Sequence, residues 1–177
     1  MIRPEFRKAL DGQQQILVVL WVVFVWAIFL YLWIASFILA NTGFSAGYSF
    51  SGTARVILWL LALLDLGYLV WWKKRFLTKA AILGGSKKFK LLQALQGHNS
   101  PLEEQAAGVI SSYVTGKIVA FAIVEAIAVY GFVLALVGRY VWDQYLFSIA
   151  SGALLLFEFP SKYFLEELLR DIEARSS

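Results

Sequence analysis

Residues Ile16 to Ala40 read ILVVLWVVFVWAIFLYLWIASFILA, roughly 25 residues without one charged side chain. At about 1.5 Å of rise per residue, such a helix is longer than the ~30 Å hydrocarbon core of a bilayer, so it can cross with some tilt. Arg3, Arg7 and Lys8 precede the run, the order found in secretory signal peptides. The run far exceeds the 7–15 apolar residues of a signal h-region, which predicts a retained membrane helix.

The rest of the chain follows the same solvent. Of 177 residues, 60% are apolar and 16% charged, and the mean hydropathy is +0.69, outside the range of ordinary water-soluble domains. After Ala40, the glycine- and serine-rich Asn41–Gly52 reads as an external loop. A second span is expected at about 56–72, ending in Trp71-Trp72-Lys73-Lys74-Arg75, an aromatic pair at headgroup level followed by three cations. Ser100-Pro101-Leu102-Glu103 has the form of an N-cap, a first-turn proline and a capping-box acid. From there a third span is expected over about 109–137, stopping at Gly138-Arg139, and a fourth over 140–159, ending before Pro160. The expected fold is all-α: one polytopic membrane domain, 1–177, with four transmembrane helices in a four-helix bundle.

Fourteen of the sixteen Lys and Arg residues lie in the N-terminus, the connection 73–108 with the adjoining Lys117, or the C-terminus; the remaining two are Arg55 and Arg139. This asymmetry predicts cytoplasmic termini and a cytoplasmic connection. Within that connection, Ser86–Gln96 reads as a short basic amphipathic helix whose Lys87, Lys88 and Lys90 face anionic headgroups or simply enforce orientation. A C-terminal amphipathic helix is expected at 161–175, with Leu165, Leu168, Leu169 and Ile172 on one stripe. Its acidic character suits packing against the basic connection better than lying on an anionic membrane.

Several chemistries lack their residues. The chain has no cysteine, so disulfides, thiolate metal sites and cysteine nucleophiles are excluded. The single histidine, His98, cannot supply paired haem or multi-histidine metal ligation within one chain. No Walker motif, nucleophile elbow or zinc-protease motif occurs, so no catalytic residue, cofactor or metal is expected. The net charge of +4 sits beside apolar runs, where it serves topology and not nucleic-acid binding.

Charges inside spans are costly and informative, and there are three: Asp65, Lys117 and Glu125. Asp65 and Lys117 fall at similar expected depths, so an ion pair between the second and third helices would satisfy both. Glu125, at the centre of the third span, has two readings. It is a proton or cation carrier, or a structural acid hydrogen-bonded across helices through Tyr130, Ser148 or Ser151. Ala122, Ala126, Gly131 and, in the Ser148–Gly152 stretch, Ser148, Ala150, Ser151 and Gly152 are small residues that permit close helix packing.

The segment Lys117–Val137, with an acid, small apolar residues and then Tyr130-Gly131, resembles the carboxylate helix of rotary ATP synthase c subunits. That resemblance would place an ion-binding carboxylate on Glu125. It covers about 20 residues, and the glycine-repeat helix of c subunits has no counterpart in the second span. The third helix and the closing Phe159-Pro160-Ser161 also resemble small uncharacterised bacterial four-helix membrane proteins, which implies a bacterial inner membrane location and a fold but no activity. The functional expectation is a non-enzymatic accessory or assembly subunit of a membrane complex, its partners being the lipid bilayer and a membrane protein or further copies of itself. The alternative is an ion- or solute-translocating oligomer that uses Glu125.

Overall fold

The computed structural model describes residues 4–40, 50–84 and 101–176. The expected basic helix at Ser86–Gln96, His98, the Ser100 cap and most of the first loop lie outside the described residues. Among the described residues six helices follow in order: α1 (Pro4–Ala40), α2 (Ser51–Phe76), α3 (Lys79–Gly84), α4 (Pro101–Gly138), α5 (Val141–Phe157) and α6 (Lys162–Ser176). No strand occurs among the described residues.

Among the described residues three helices are long and apolar enough to cross a membrane, over Asp11–Ala40, Ser51–Phe76 and Glu103–Gly138. The expected fourth span corresponds to α5, which has 17 residues. At ~1.5 Å per residue it is about 25 Å long, shorter than the hydrocarbon core, because the chain turns at Gly138–Tyr140 and breaks again at Pro160. Arg139 makes the first of these turns with φ of 57°, a left-handed conformation that non-glycine residues seldom adopt.

The chain divides into two compact units. Unit 1 comprises Met1–Leu20, Trp72–Val119 and Pro160–Ser177. Here α6 buries Leu165, Leu168 and Ile172 of the expected stripe, with its fourth member Leu169 half-buried, and the ring of Phe164 lies 5.3 Å from that of Tyr113 on α4. On its other side Glu167 and Asp171 face Lys79 of α3. Glu167 first, and then Asp171, raise the Lys79 pKa above its ordinary value. A raised lysine pKa means the pair is fully formed below the ordinary value and is lost only as pH rises through the higher one, so it persists across the neutral range. Both partners are substantially exposed, and such a pair orients α6 more than it stabilises it. Close packing recurs at Gly116, where an added Cβ would lie 2.8 Å from Leu77 Cδ2, and the Trp72 indole donates to the Gly116 carbonyl at 3.2 Å.

Unit 2 comprises Trp21–Trp71 and Ala120–Phe159. Its centre is Ala62, Ile127, Leu134 and Phe147, flanked by Leu58, Trp59, Leu66, Tyr130, Tyr140 and Leu154. The outward faces carry large apolar groups such as Trp26, Trp33, Leu64 and Ile149. The inward face of α5 carries Asp143, Gln144, Ser148 and Ser151. This inversion of the soluble pattern is what a lipid solvent selects, since hydrocarbon solvates apolar side chains and leaves polar ones to find partners inside.

Gly131 lets α4 and α5 approach. An added Cβ there would sit 2.9 Å from Phe147 Cβ and 3.0 Å from Gln144 Cα, against backbone that cannot swing aside. Gly131→Ala should therefore lower stability in detergent by about 1–3 kcal/mol, the usual range for overpacking. Gly67→Ala on α2, where an added Cβ meets nothing within 4 Å, should leave the thermal midpoint nearly unchanged. Equal midpoints for the two variants would contradict the tight α4–α5 contact.

Candidate functional site

In hydrocarbon a carboxyl or phenol without a partner is costly, so the partners of α4's polar side chains define the site. Glu125 and Tyr130 are five residues apart on α4. Five residues turn about 140° around a helix, so the two side chains leave on different flanks. Glu125 meets α1, where the Tyr31 hydroxyl donates to its Oε1 at 2.7 Å. Tyr130 meets α2, where its own hydroxyl donates to Asp65 Oδ2 at 2.8 Å. One helix thus supplies an acid to one neighbour and a phenol to another, and each neighbour supplies the complement.

The first of these contacts is braced from a third direction. Buried Gln144 of α5 donates through Nε2 to the Tyr31 backbone carbonyl at 3.0 Å, and the Tyr31 ring lies 5.5 Å from that of Phe132. The phenol is consequently held where Glu125 needs it. Ser151 donates to the Val124 carbonyl at 2.7 Å, next to Glu125 in sequence, tying α5 to the same turn of α4.

At the α4–α5 end of unit 2, Asp143 is 3% exposed and is held by the Arg55 guanidinium through two bonds, Nε to Oδ2 at 2.6 Å and Nη2 to Oδ1 at 3.0 Å. The Arg55 guanidinium also lies 4.8 Å from the centroid of the Tyr140 ring. Bidentate pairing of this kind satisfies both carboxylate oxygens, which a buried aspartate requires. Arg139 donates to the Leu39 carbonyl at 3.3 Å, joining the α4–α5 turn to the end of α1.

The structure therefore assigns Glu125 a partner different from those expected. Tyr130 engages Asp65, Ser151 engages a backbone carbonyl, and the Ser148 hydroxyl has no hydrogen-bond partner among the described residues. Tyr31 was hidden in the apolar run, although a phenol in mid-span is itself a signal, because its hydroxyl must find an acceptor. Asp65 lies in unit 2 and Lys117 in unit 1. The Arg55–Asp143 pair was not anticipated from the sequence. Among the described residues no three His, Asp or Glu side chains come together as a metal-ligand set.

The chemistry open to this arrangement is hydrogen bonding of a carboxyl by a neutral phenol. A phenol fixes the acid in place and adds no balancing charge, unlike a guanidinium. No protein-family model, curated protein sequence or solved structure matches this chain.

If Tyr31 and Glu125 form a cross-helix strut, a double-mutant cycle with Tyr31→Phe and Glu125→Leu should show coupling of about 0.5–2 kcal/mol in detergent unfolding, the range for hydrogen bonds between membrane helices. Losses that simply add would show that the two side chains act independently.

Proposed function

We propose that the chain is a non-enzymatic integral membrane protein of four spans, serving as an accessory or assembly subunit of a membrane complex. The observation that carries this reading is the engagement of the mid-span acid: Glu125 is bonded to Tyr31 of a neighbouring helix, itself braced by Gln144. An ion carrier must release its carboxyl to a path, whereas a strut holds it between helices. The proposed location is a bacterial inner membrane with both termini cytoplasmic, in keeping with the fourteen-to-two distribution of basic residues.

Support for α5 as the fourth span comes from its polarity. Trp142 and Phe157, near its two ends, are 82% and 84% exposed, while Asp143, Ser148, Ser151 and Glu158 are buried. A helix of ~25 Å crosses with modest local thinning or with flanking residues at the interface. Trp142 is the kind of residue that marks such a boundary.

Glu125→Gln separates this reading from ion translocation by way of Glu125. Glutamine keeps an acceptor for the Tyr31 hydroxyl and cannot titrate. In reconstituted vesicles under imposed pH or sodium gradients, the wild-type protein should carry no flux and the variant should match it in fold and stability. Wild-type flux abolished by Glu125→Gln would overturn the accessory-subunit reading. For orientation, cysteine at Ser45 should react with an impermeant thiol reagent in intact cells and cysteine at Ser86 should not; the reverse pattern would overturn the orientation.

A further inference from the structure

In unit 1, the start of α1 and one face of α6 border a pocket of about 350 Å³, within the usual range for small-molecule sites. Asp11 and Gln14 come from one face of α1, and Lys162, Glu166 and Arg170, spaced by four, come from one face of α6. Gln14 is 6% exposed, lines the pocket, and makes no side-chain hydrogen bond among the described residues. A buried amide left in that state is costly, and a ligand offering both an acceptor and a donor would satisfy it. The four charged groups are two acids and two bases, and among the described residues none of the four forms an ion pair. Glu173, also at the pocket, has an interaction of its own, and Leu165 and Leu169 add apolar lining.

Depth decides the class of ligand. At ~1.5 Å per residue, Gln14 lies about 3 Å and Asp11 about 7.5 Å before Ile16, where the apolar run of α1 opens. The headgroup layer on each side of a bilayer is about 5–7.5 Å deep, so both residues stand within it when α1 spans. We propose that the pocket binds the headgroup of a phospholipid carrying a phosphate and a primary amine, as in phosphatidylethanolamine. Lys162 and Arg170 suit the phosphate and Asp11 and Glu166 the ammonium, while the Gln14 amide can donate to the first and accept from the second. A purely anionic headgroup, such as that of phosphatidylglycerol, would meet two carboxylates and offer them no cation. A choline headgroup has no N–H to donate and is held by aromatic rings, of which the described lining has none. The inference needs α1 to cross the membrane and does not depend on the accessory-subunit reading.

The test is lipid retention by the full chain in mild detergent. The protein is mixed with equal amounts of phosphatidylethanolamine, phosphatidylcholine and phosphatidylglycerol of identical acyl chains and repurified, and the bound lipid is counted by mass spectrometry. Phosphatidylethanolamine should exceed each of the others about tenfold, the size of effect expected from one charge-assisted hydrogen bond. Glu166→Gln with Arg170→Gln removes one charge of each sign from the exposed pocket wall and should lower its retention by a similar factor. The unfolding midpoint of that variant without phospholipid should match the parent's. Gln14→Met, which keeps the shape and removes the amide, should also weaken retention without lowering the midpoint. Arg75→Gln with Glu104→Gln, a matched exposed pair outside the pocket, should change neither. The proposal is overturned by equal retention of the three lipids, by preference for phosphatidylglycerol or phosphatidylcholine, or by pocket variants that hold phosphatidylethanolamine as the parent does. Displacement of the lipid by millimolar phosphoethanolamine would assign the same chemistry to a soluble amine phosphate and overturn the lipid assignment.

Discussion

A polar group carried into hydrocarbon must be satisfied by the protein itself, and α4 is where this chain meets that constraint. Its Glu125 takes a hydrogen bond from Tyr31 of α1, and its Tyr130 gives one to Asp65 of α2. Its Val124 carbonyl accepts the Ser151 hydroxyl of α5. Each neighbour in unit 2 is therefore tied to α4 by one polar bond at a fixed rotational phase. Dispersion packing between apolar helices in lipid has little orientational preference, since the tails solvate leucine as well as leucine does. Three directional bonds remove that freedom, and Gly131 then allows the α4–α5 approach on which the Phe147 contact depends.

The same constraint explains why the faces are inverted. α5 keeps Asp143, Gln144, Ser148 and Ser151 inward, where Arg55, Tyr31 and Val124 answer three of the four. Trp142, Leu146, Ile149 and Phe157 are left outward at no cost if the medium is hydrocarbon. In water the same surface would be a large aggregation-prone patch. Ser148 has no hydrogen-bond partner among the described residues.

Much of the architecture was legible in the sequence because length and charge spacing fix it. The charge-free run to Ala40, the Trp71–Arg75 boundary, the first-turn Pro101 and the stop at Gly138 each have a local physical cause, and α1, α2 and α4 end where those signals lie. The stripe of α6 was equally local. What sequence could not give was pairing across helices. Tyr130 looked available to Glu125 because the two are near in sequence, yet 140° of helical rotation separates them, and which flank meets which neighbour depends on how the helices are turned. Length was misleading at α5, where 20 residues between Tyr140 and Phe159 become a 17-residue helix once the two turns take their share.

The central claim is that lipid is the solvent of the outward faces and that the polar face of α5 points inward. Its most direct test is the accessibility of nitroxides placed singly along α5 in bilayers. Labels at Leu146, Ala150 and Phe157 should collide readily with oxygen, which concentrates in hydrocarbon, and labels at Gln144, Phe147 and Ser151 should be shielded from it. A water-soluble nickel complex should reach none of these sites in the middle of the helix. Ready collision with nickel along the outward face of α5, or no helical period in the oxygen data, would contradict the account.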